Sequence, residues 1–244
     1  PVQVRQAMAV VGTVTLLVGL ACLLPAMIRP TCALLADGIY REKVNENEPV
    51  VVVTDMLFLD QDTFLYSEQY GKVYICQRAN GDLNKQLYVD LESVTHGGGN
   101  KGILDMLLDD DFENSKQVWF YYSRNEVPGP AGAAAMTHRV SRFTHIDNQG
   151  GLTQRLDPNS EVPVWVDPEG YPDLPLALHW HYGSQLVWGP GGMLYFAQGD
   201  KMINPDWASD INYFAGCLIR MNKDGTFPAD NDGVQAGGAP GCWG

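Results

Sequence analysis

Basic residues are in short supply. The 244-residue chain has 16 Lys and Arg against 29 Asp and Glu, a formal net charge of −13. Binding a phosphate backbone takes a basic face, so this balance excludes nucleic acid as a partner. It favours solubility and says little else. No Asn-x-Ser/Thr acceptor occurs, so glycosylation offers no support for a secretory route. Cysteine is limited to five residues, and their spacing matches no zinc pattern. Helical periodicity is also missing: beyond the N-terminal segment, no long stretch repeats apolar residues at helical spacing. The chain starts with Pro1 rather than Met and stops at "GAPGCWG". Both ends read as cut, so the expectation is the N-terminal part of a longer protein.

Charge is wholly absent from residues 7–28, "AMAVVGTVTLLVGLACLLPAMI", which Arg5 and Arg29 bracket. At 1.5 Å per residue such a run can cross a hydrocarbon core of roughly 30 Å. It reads as an uncleaved membrane anchor. The alternatives are a secretory signal peptide, with a weak small-residue cleavage site around Ala36, or a buried core helix. Both anchor and signal send the rest of the chain to the extracellular or lumenal side or into secretion. Cys22 lies inside this run, which leaves Cys32, Cys76, Cys217 and Cys242 with three possible pairings in an oxidising compartment. The expected organisation is residues 1–29 as anchor or signal, 30–49 as a polar linker, and 50–244 as a globular domain.

What the domain does contain is short β-type runs. "VVVTDMLFL", "TFLYSEQ", "KVYICQ", "QVWFYYS", "RVSRFTHI", "VPVWV", "QLVWG", "MLYFAQ" and "GCLIRMN" are rich in Val, Ile, Tyr, Phe and Trp. Gly, Pro, Asn and Asp bound them, as turns require. A faint repeat links "MLFLDQDTFLYSEQ" to "QLVWGPGGMLYFAQ". Their Leu-Tyr pairs, Leu65-Tyr66 and Leu194-Tyr195, lie 129 residues apart. That is close to three blades of about 40–45 residues each, so an all-β propeller of radially arranged four-stranded antiparallel sheets is expected.

Four stretches are candidates for chemistry. "GGGNKG" contains Gly97-x-Gly99-x-x-Gly102, but no helix-forming run follows to hold a pyrophosphate, so the dinucleotide reading fails. A glycine loop remains, whose Asn100 and Lys101 face a pocket in this reading. "DDDFEN" (109–114) lacks the ligand spacing of a calcium loop and reads as a solvated acidic turn. "MNKDGTFPADND" (221–232) reads as a loop between strands. "HYGSQLVWGPGGMLYFAQGD" (181–200) is the most informative stretch. It reads as a hairpin whose outer ends are His181 and Asp200. A hairpin returns its ends to one sheet edge, where a carboxylate can fix the imidazole tautomer and leave the other nitrogen as a base.

The ordered stretches from about 50 to 244 resemble the glucose and sorbosone dehydrogenase family, which includes soluble quinoprotein glucose dehydrogenases and aldose sugar dehydrogenases. The hedgehog-interacting proteins share the domain. "MLFLDQDTFLYSEQYGKVYICQ", "GGGNKGILDMLLDDDFENSKQVWFYYS", "RVSRFT", the 181–200 hairpin and "FAGCLIRMNKDGTFPADN" carry the resemblance. It implies a six-bladed propeller. It also implies an oxidoreductase that takes hydride from the hydroxyl of a sugar or related alcohol onto pyrroloquinoline quinone, for delivery to an electron acceptor. In that scheme His181 is the base and Asp200 orients it. Asn100, Lys101, Trp180 and Tyr182 belong to the substrate and cofactor pocket. The quinone-clamping cations and the calcium ligands of the family come from later blades and match nothing in this chain. The departures are Asn100 for a longer Glu or Gln, Asp105 for a glycine, Asp109-Asp110-Asp111-Phe112 for His-Pro-Asp-Phe, and Trp180 before the histidine. The rival expectation is a binding module of the hedgehog-interacting type with no redox role.

Overall fold

The structure is a computed structural model. It describes residues 52–79, 82–126, 135–147, 155–168, 181–183, 185–202 and 206–243, and the backbone at 33–36 and 39–41. The apolar 7–28 segment lies outside the described residues, as does Trp180. Two compact units divide the chain, residues 1–43 and 44–244. In the first, β1 (Ala33–Ala36) pairs antiparallel with β2 (Ile39–Arg41), so part of the expected linker is a short strand pair.

The second unit is built of antiparallel sheets, as the alternating aromatic and β-branched runs require. The first sheet holds β3 (Val53–Phe58), β4 (Thr63–Glu68), β5 (Lys72–Ala79) and β6 (Asp82–Asp90) in chain order. The second holds β7 (Ile103–Leu108), β8 (Gln117–Glu126), β9 (Ala135–Ile146) and β10 (Arg155–Val166), again in chain order. The third holds β11 (Val187–Trp188), β12 (Leu194–Ala197) and β13 (Leu218–Met221). Residues 241–243 run along the free side of β13: the Arg220 amide donates to the Gly241 carbonyl at 3.0 Å, and the Trp243 amide to Leu218 at 2.9 Å. A Cys217–Cys242 disulfide staples this edge. The pairing that the spacing left open is thereby made, and Cys76 is a buried free thiol.

In the middle sheet, residues 118–122 of β8 have no wet face. Along β8, Val118, Phe120 and Tyr122 enter a core shared with Leu57, Leu65, Val73 and Ile75 of the first sheet. The alternate residues Trp119 and Tyr121 enter a second core with Leu186, Leu194, Phe196 and Ile219 of the third. A strand buried on both faces cannot alternate apolar with polar, which is why "VWFYY" is a continuous run.

A second repeat ties the sheets together. "Asp-Met-Leu" occurs at 55–57 on β3 and at 105–107 on β7, and a register shift falls beside each aspartate. Such a bulge re-aims the side chain. Asp55 accepts the Met106 amide at 2.8 Å, and Asp105 accepts the Leu186 amide at 2.5 Å. The first sheet is thus latched to β7 of the second, and the second to the residue just before β11 of the third. This accounts for Asp105 where the family pattern has glycine.

The Leu-Tyr repeat needs correction. Leu65-Tyr66 and Leu194-Tyr195 do occupy the second strands of their sheets, but among the described residues a single second strand, β8, lies between them. Their spacing therefore spans two sheet-to-sheet steps, not three. The 10-residue β8 and the 12-residue β9 and β10 lengthen the step.

The acidic turn is also not fully solvated. Asp109 is 6% exposed and accepts from the Trp119 indole at 3.0 Å and the Lys223 ammonium at 2.8 Å. Burial alone would raise its carboxyl. Lys223, the Asp111 amide and the indole together hold it below the ordinary value. The 221–232 loop is therefore a tie between the third and second sheets as well as a connection. Beyond the acidic turn, α1 (Phe112–Ser115) is a single turn, and α2 (Asp232–Ala236) precedes the returning edge.

Candidate functional site

The site forms where the outer ends of the β11–β12 hairpin return to one edge. The Gly189 amide donates to the Met193 carbonyl at 2.9 Å, and a Pro190–Gly192 3-10 turn closes the far end. Val187 pairs with Tyr195 and Trp188 with Leu194. At the near end the two chains are too close for side chains. A Cβ on Gly199 would lie 1.7 Å from the His181 carbonyl, and one on Gly183 2.3 Å from the Ala197 carbonyl.

His181 and Asp200 meet there. Imidazole Nδ1 lies 2.9 Å from Asp200 Oδ1. The carboxylate only accepts, so Nδ1 carries the proton and Nε2 of the neutral ring keeps a lone pair. The imidazole is 56% exposed and the carboxylate 38%, so the pair faces solvent.

The backbone holding them is strained. Among the described residues four non-glycine positions have positive φ, and three are here: His181 at 58°, Lys201 at 61° and Met202 at 51°. Each costs of the order of 1–3 kcal/mol and persists only where the surroundings over-determine it. Those surroundings are a buried polar network. Lys201 Nζ lies 2.9 Å from Asp167 Oδ1 and 2.7 Å from Oδ2, with both side chains fully buried. Gln198 Nε2 donates to Asp167 at 3.3 Å. The Tyr121 hydroxyl is 2.5 Å from Gln198 Oε1 and 2.9 Å from the Tyr182 carbonyl, next to His181. Burial pushes the Tyr121 phenol well up, so it stays a neutral donor.

The expected pocket residues fall in different places. Tyr182 is 1% exposed, and its ring stacks on buried His138 at 4.1 Å, so it packs inward. Asn100 is exposed at the tip of a tight turn in which the Lys101 amide donates to Gly98 at 3.2 Å. Lys101 is 7% exposed, and burial pulls its ammonium down. The turn opens β7, a strand, as rejection of the dinucleotide reading requires. It reaches the hairpin through the Gly102 amide on Ser123 Oγ (3.1 Å), Ser123 Oγ against His138 Nδ1 (3.4 Å), and His138 on Tyr182. Asp167, Gln198, Tyr121 and His138 carried no signal of site function in the sequence. Only Lys201, directly after Asp200, was adjacent to a candidate.

Comparison with known proteins bears on this geometry. The family model described as glucose/sorbosone dehydrogenase matches residues 50–244. The chain belongs to this family. The aldose sugar dehydrogenase of Escherichia coli is 30% identical over 144 residues, 59% of this chain and 34% of that protein. The mouse hedgehog-interacting protein is 25% identical over 167 residues, 66% of this chain and 22% of that protein. A PQQ-bound aldose sugar dehydrogenase from Streptomyces coelicolor shares the fold, with a TM-score of 0.57 and 19% identity over 82% of this chain and 51% of that one. The chain therefore spans about half or less of the length of these relatives.

Proposed function

We propose that this chain forms part of a six-bladed propeller that oxidises the hydroxyl of a sugar or related alcohol with a quinone cofactor. The observation that carries the reading is the His181–Asp200 pair at 2.9 Å with an exposed imidazole, in a chain of this family. His181 Nε2 takes the hydroxyl proton as the carbon-bound hydrogen leaves with its electron pair. Asp200 keeps the ring oriented and stabilises the imidazolium that forms. Pyrroloquinoline quinone, when bound, supplies the two-electron acceptor. The residues at this site fit the proton-transfer half of that chemistry. They do not supply the cationic clamp that a tricarboxylate needs, since the neighbouring ammonium of Lys201 is held by Asp167. Calcium belongs to the proposal by resemblance alone, and among the described residues no group of three or more His, Cys, Asp or Glu is placed to hold a metal.

The test is dye reduction with aldoses by the quinone-reconstituted full-length protein. His181→Ala is expected to lower turnover roughly 10²–10⁴-fold, the range for losing a general base. Asp200→Asn should lower it as well, through a misoriented ring. Unchanged turnover in His181→Ala would make the histidine an ordinary loop residue. A folded, quinone-loaded wild type without activity favours the second reading, a binding module, for which the likeness to the hedgehog-interacting protein speaks.

We further propose that residues 7–28 anchor the protein or direct its export. The Cys217–Cys242 disulfide supports an oxidising compartment. Among the described residues no helix is long and apolar enough to cross a membrane. Carbonate extraction should leave the full-length protein in the membrane pellet. Recovery as a soluble species with a new N-terminus near Asp37 would establish a cleaved signal instead.

A further inference from the structure

We propose that Lys201 is a positioning residue for His181, acting through Asp200 from its buried ion pair with Asp167. The proposal rests on the dehydrogenase reading above. Lys201 follows Asp200 directly, and its ammonium is 0% exposed between the two oxygens of Asp167. Asp167 is itself fixed at the end of β10, where its amide donates to the His138 carbonyl at 2.8 Å. The Lys201 amide donates to the His181 carbonyl at 3.3 Å. With Lys201 drawn inward and its backbone in the left-handed region, the neighbouring Asp200 is turned to the opposite, open side. There its Oδ1 meets Nδ1 of His181 and also accepts the Met202 amide at 3.3 Å.

Stability is a weak reason to bury such a pair. Well-packed apolar replacements of buried ion pairs are often neutral or stabilising, whereas removing one partner leaves an uncompensated charge. What the pair supplies here is direction. Asp200 is half exposed, and it is the hydrogen-bond partner that the described residues give the imidazole. Released from Asp167, the two left-handed residues can relax toward ordinary backbone, and a solvated aspartate leaves the ring free to exchange tautomers.

The test uses the full-length protein with ¹⁵N-labelled histidine. The His181 signals are assigned by their loss in His181→Ala. In the wild type the neutral ring should be a single Nδ1–H tautomer. In Lys201→Met it should become a mixture, with turnover falling about 10–100-fold, as for loss of other residues that orient a functional group, and KM changing little. Lys201→Arg should keep both properties. In the double variant Lys201→Met/Asp167→Asn, which removes both charges, the thermal midpoint should return toward wild type while tautomer and turnover do not. The inference is overturned if Lys201→Met keeps one tautomer and full turnover, or if the double variant regains turnover together with stability. Should Lys201→Met fail to fold, the arginine and double variants carry the same comparison. If His181→Ala leaves turnover unchanged, the general-base role of His181 fails, and if the quinone-loaded wild type is inactive, the dehydrogenase reading fails; in either case the tautomer measurement alone decides the role of Lys201.

Discussion

His145 is the clearest case of a buried titratable group outside the candidate site. It is 3% exposed, with Nδ1 2.7 Å from the Tyr88 hydroxyl and Nε2 3.2 Å from Asp147 Oδ1. The Phe112 ring meets it edge-on at 5.2 Å, and Lys116 pairs with Asp147 at 3.1 Å. Burial pushes the imidazole below its ordinary value. Asp147 pulls it up by a smaller amount, and Lys116 adds to the lowering. The unfolded chain therefore takes up this proton at a higher pH than the folded one. The stability linked to His145 is complete above the ordinary histidine value and is lost as pH falls through the depressed one. Urea unfolding at about pH 7.5 and 5.5, on either side of the ordinary value, should show a larger loss in wild type than in His145→Gln. Equal losses would assign the acid sensitivity to other groups. The Tyr88–His145 hydrogen bond runs from β6 to β9, between separate sheets. The sequence marked His181 because a turn of "GPGG" between apolar runs brings its ends together. It marked neither His145 nor the Lys201–Asp167 pair, whose members are 34 residues apart on different sheets.

At the scale of elements, the third sheet depends most on a covalent tie. Its strands β11, β12 and β13 have two, four and four residues. The returning 241–243 segment makes one isolated bridge, Ile219 to Cys242, beside the disulfide. Closing a loop with a sequence separation of 25 removes chain entropy from the unfolded state worth about 3.5 kcal/mol in the loop-closure model. Cys217→Ala/Cys242→Ala is expected to lose about that much, read as a drop in the urea midpoint at constant slope. A loss under about 1 kcal/mol would show that packing of Phe214, Phe227 and Ile219 holds the edge without the bond. The strand runs themselves were legible, since aromatic and β-branched residues between Gly and Asp turns admit few alternatives. The disulfide was not, because spacing ranks no pairing among four cysteines.

Over the whole 44–244 unit, the two cores share the middle sheet, each of whose four strands sends residues into both. Phe120 and Trp119 are neighbours on β8, both 0% exposed, and they face opposite sheets. Each to alanine is expected to cost about 3–5 kcal/mol, the usual range for a buried large aromatic. Because the middle sheet contributes to both cores, each variant should shift one and the same calorimetric transition. Two separate transitions, each moved by one variant, would mean that the sheets unfold independently despite the Asp55 and Asp105 latches.

Composition and order along the chain determined the β class, the antiparallel hairpins, the glycine turn and the identity of the two outer residues of the 181–200 hairpin. These are local properties: a side-chain period of two, a turn chemistry and a fixed loop length are complete within about twenty residues. The number of sheets between the two Leu-Tyr pairs was misread, because strand and connection lengths add to the same spacing in more than one way. Tertiary structure alone decided which face of β8 meets which sheet, why Asp105 stands where the family pattern has glycine, and that Tyr182 packs inward beside an exposed histidine. It also decided which buried charge steers Asp200. Those outcomes depend on groups distant in sequence arriving at one place, where burial makes an ion pair or a hydrogen bond matter far more than it does in water.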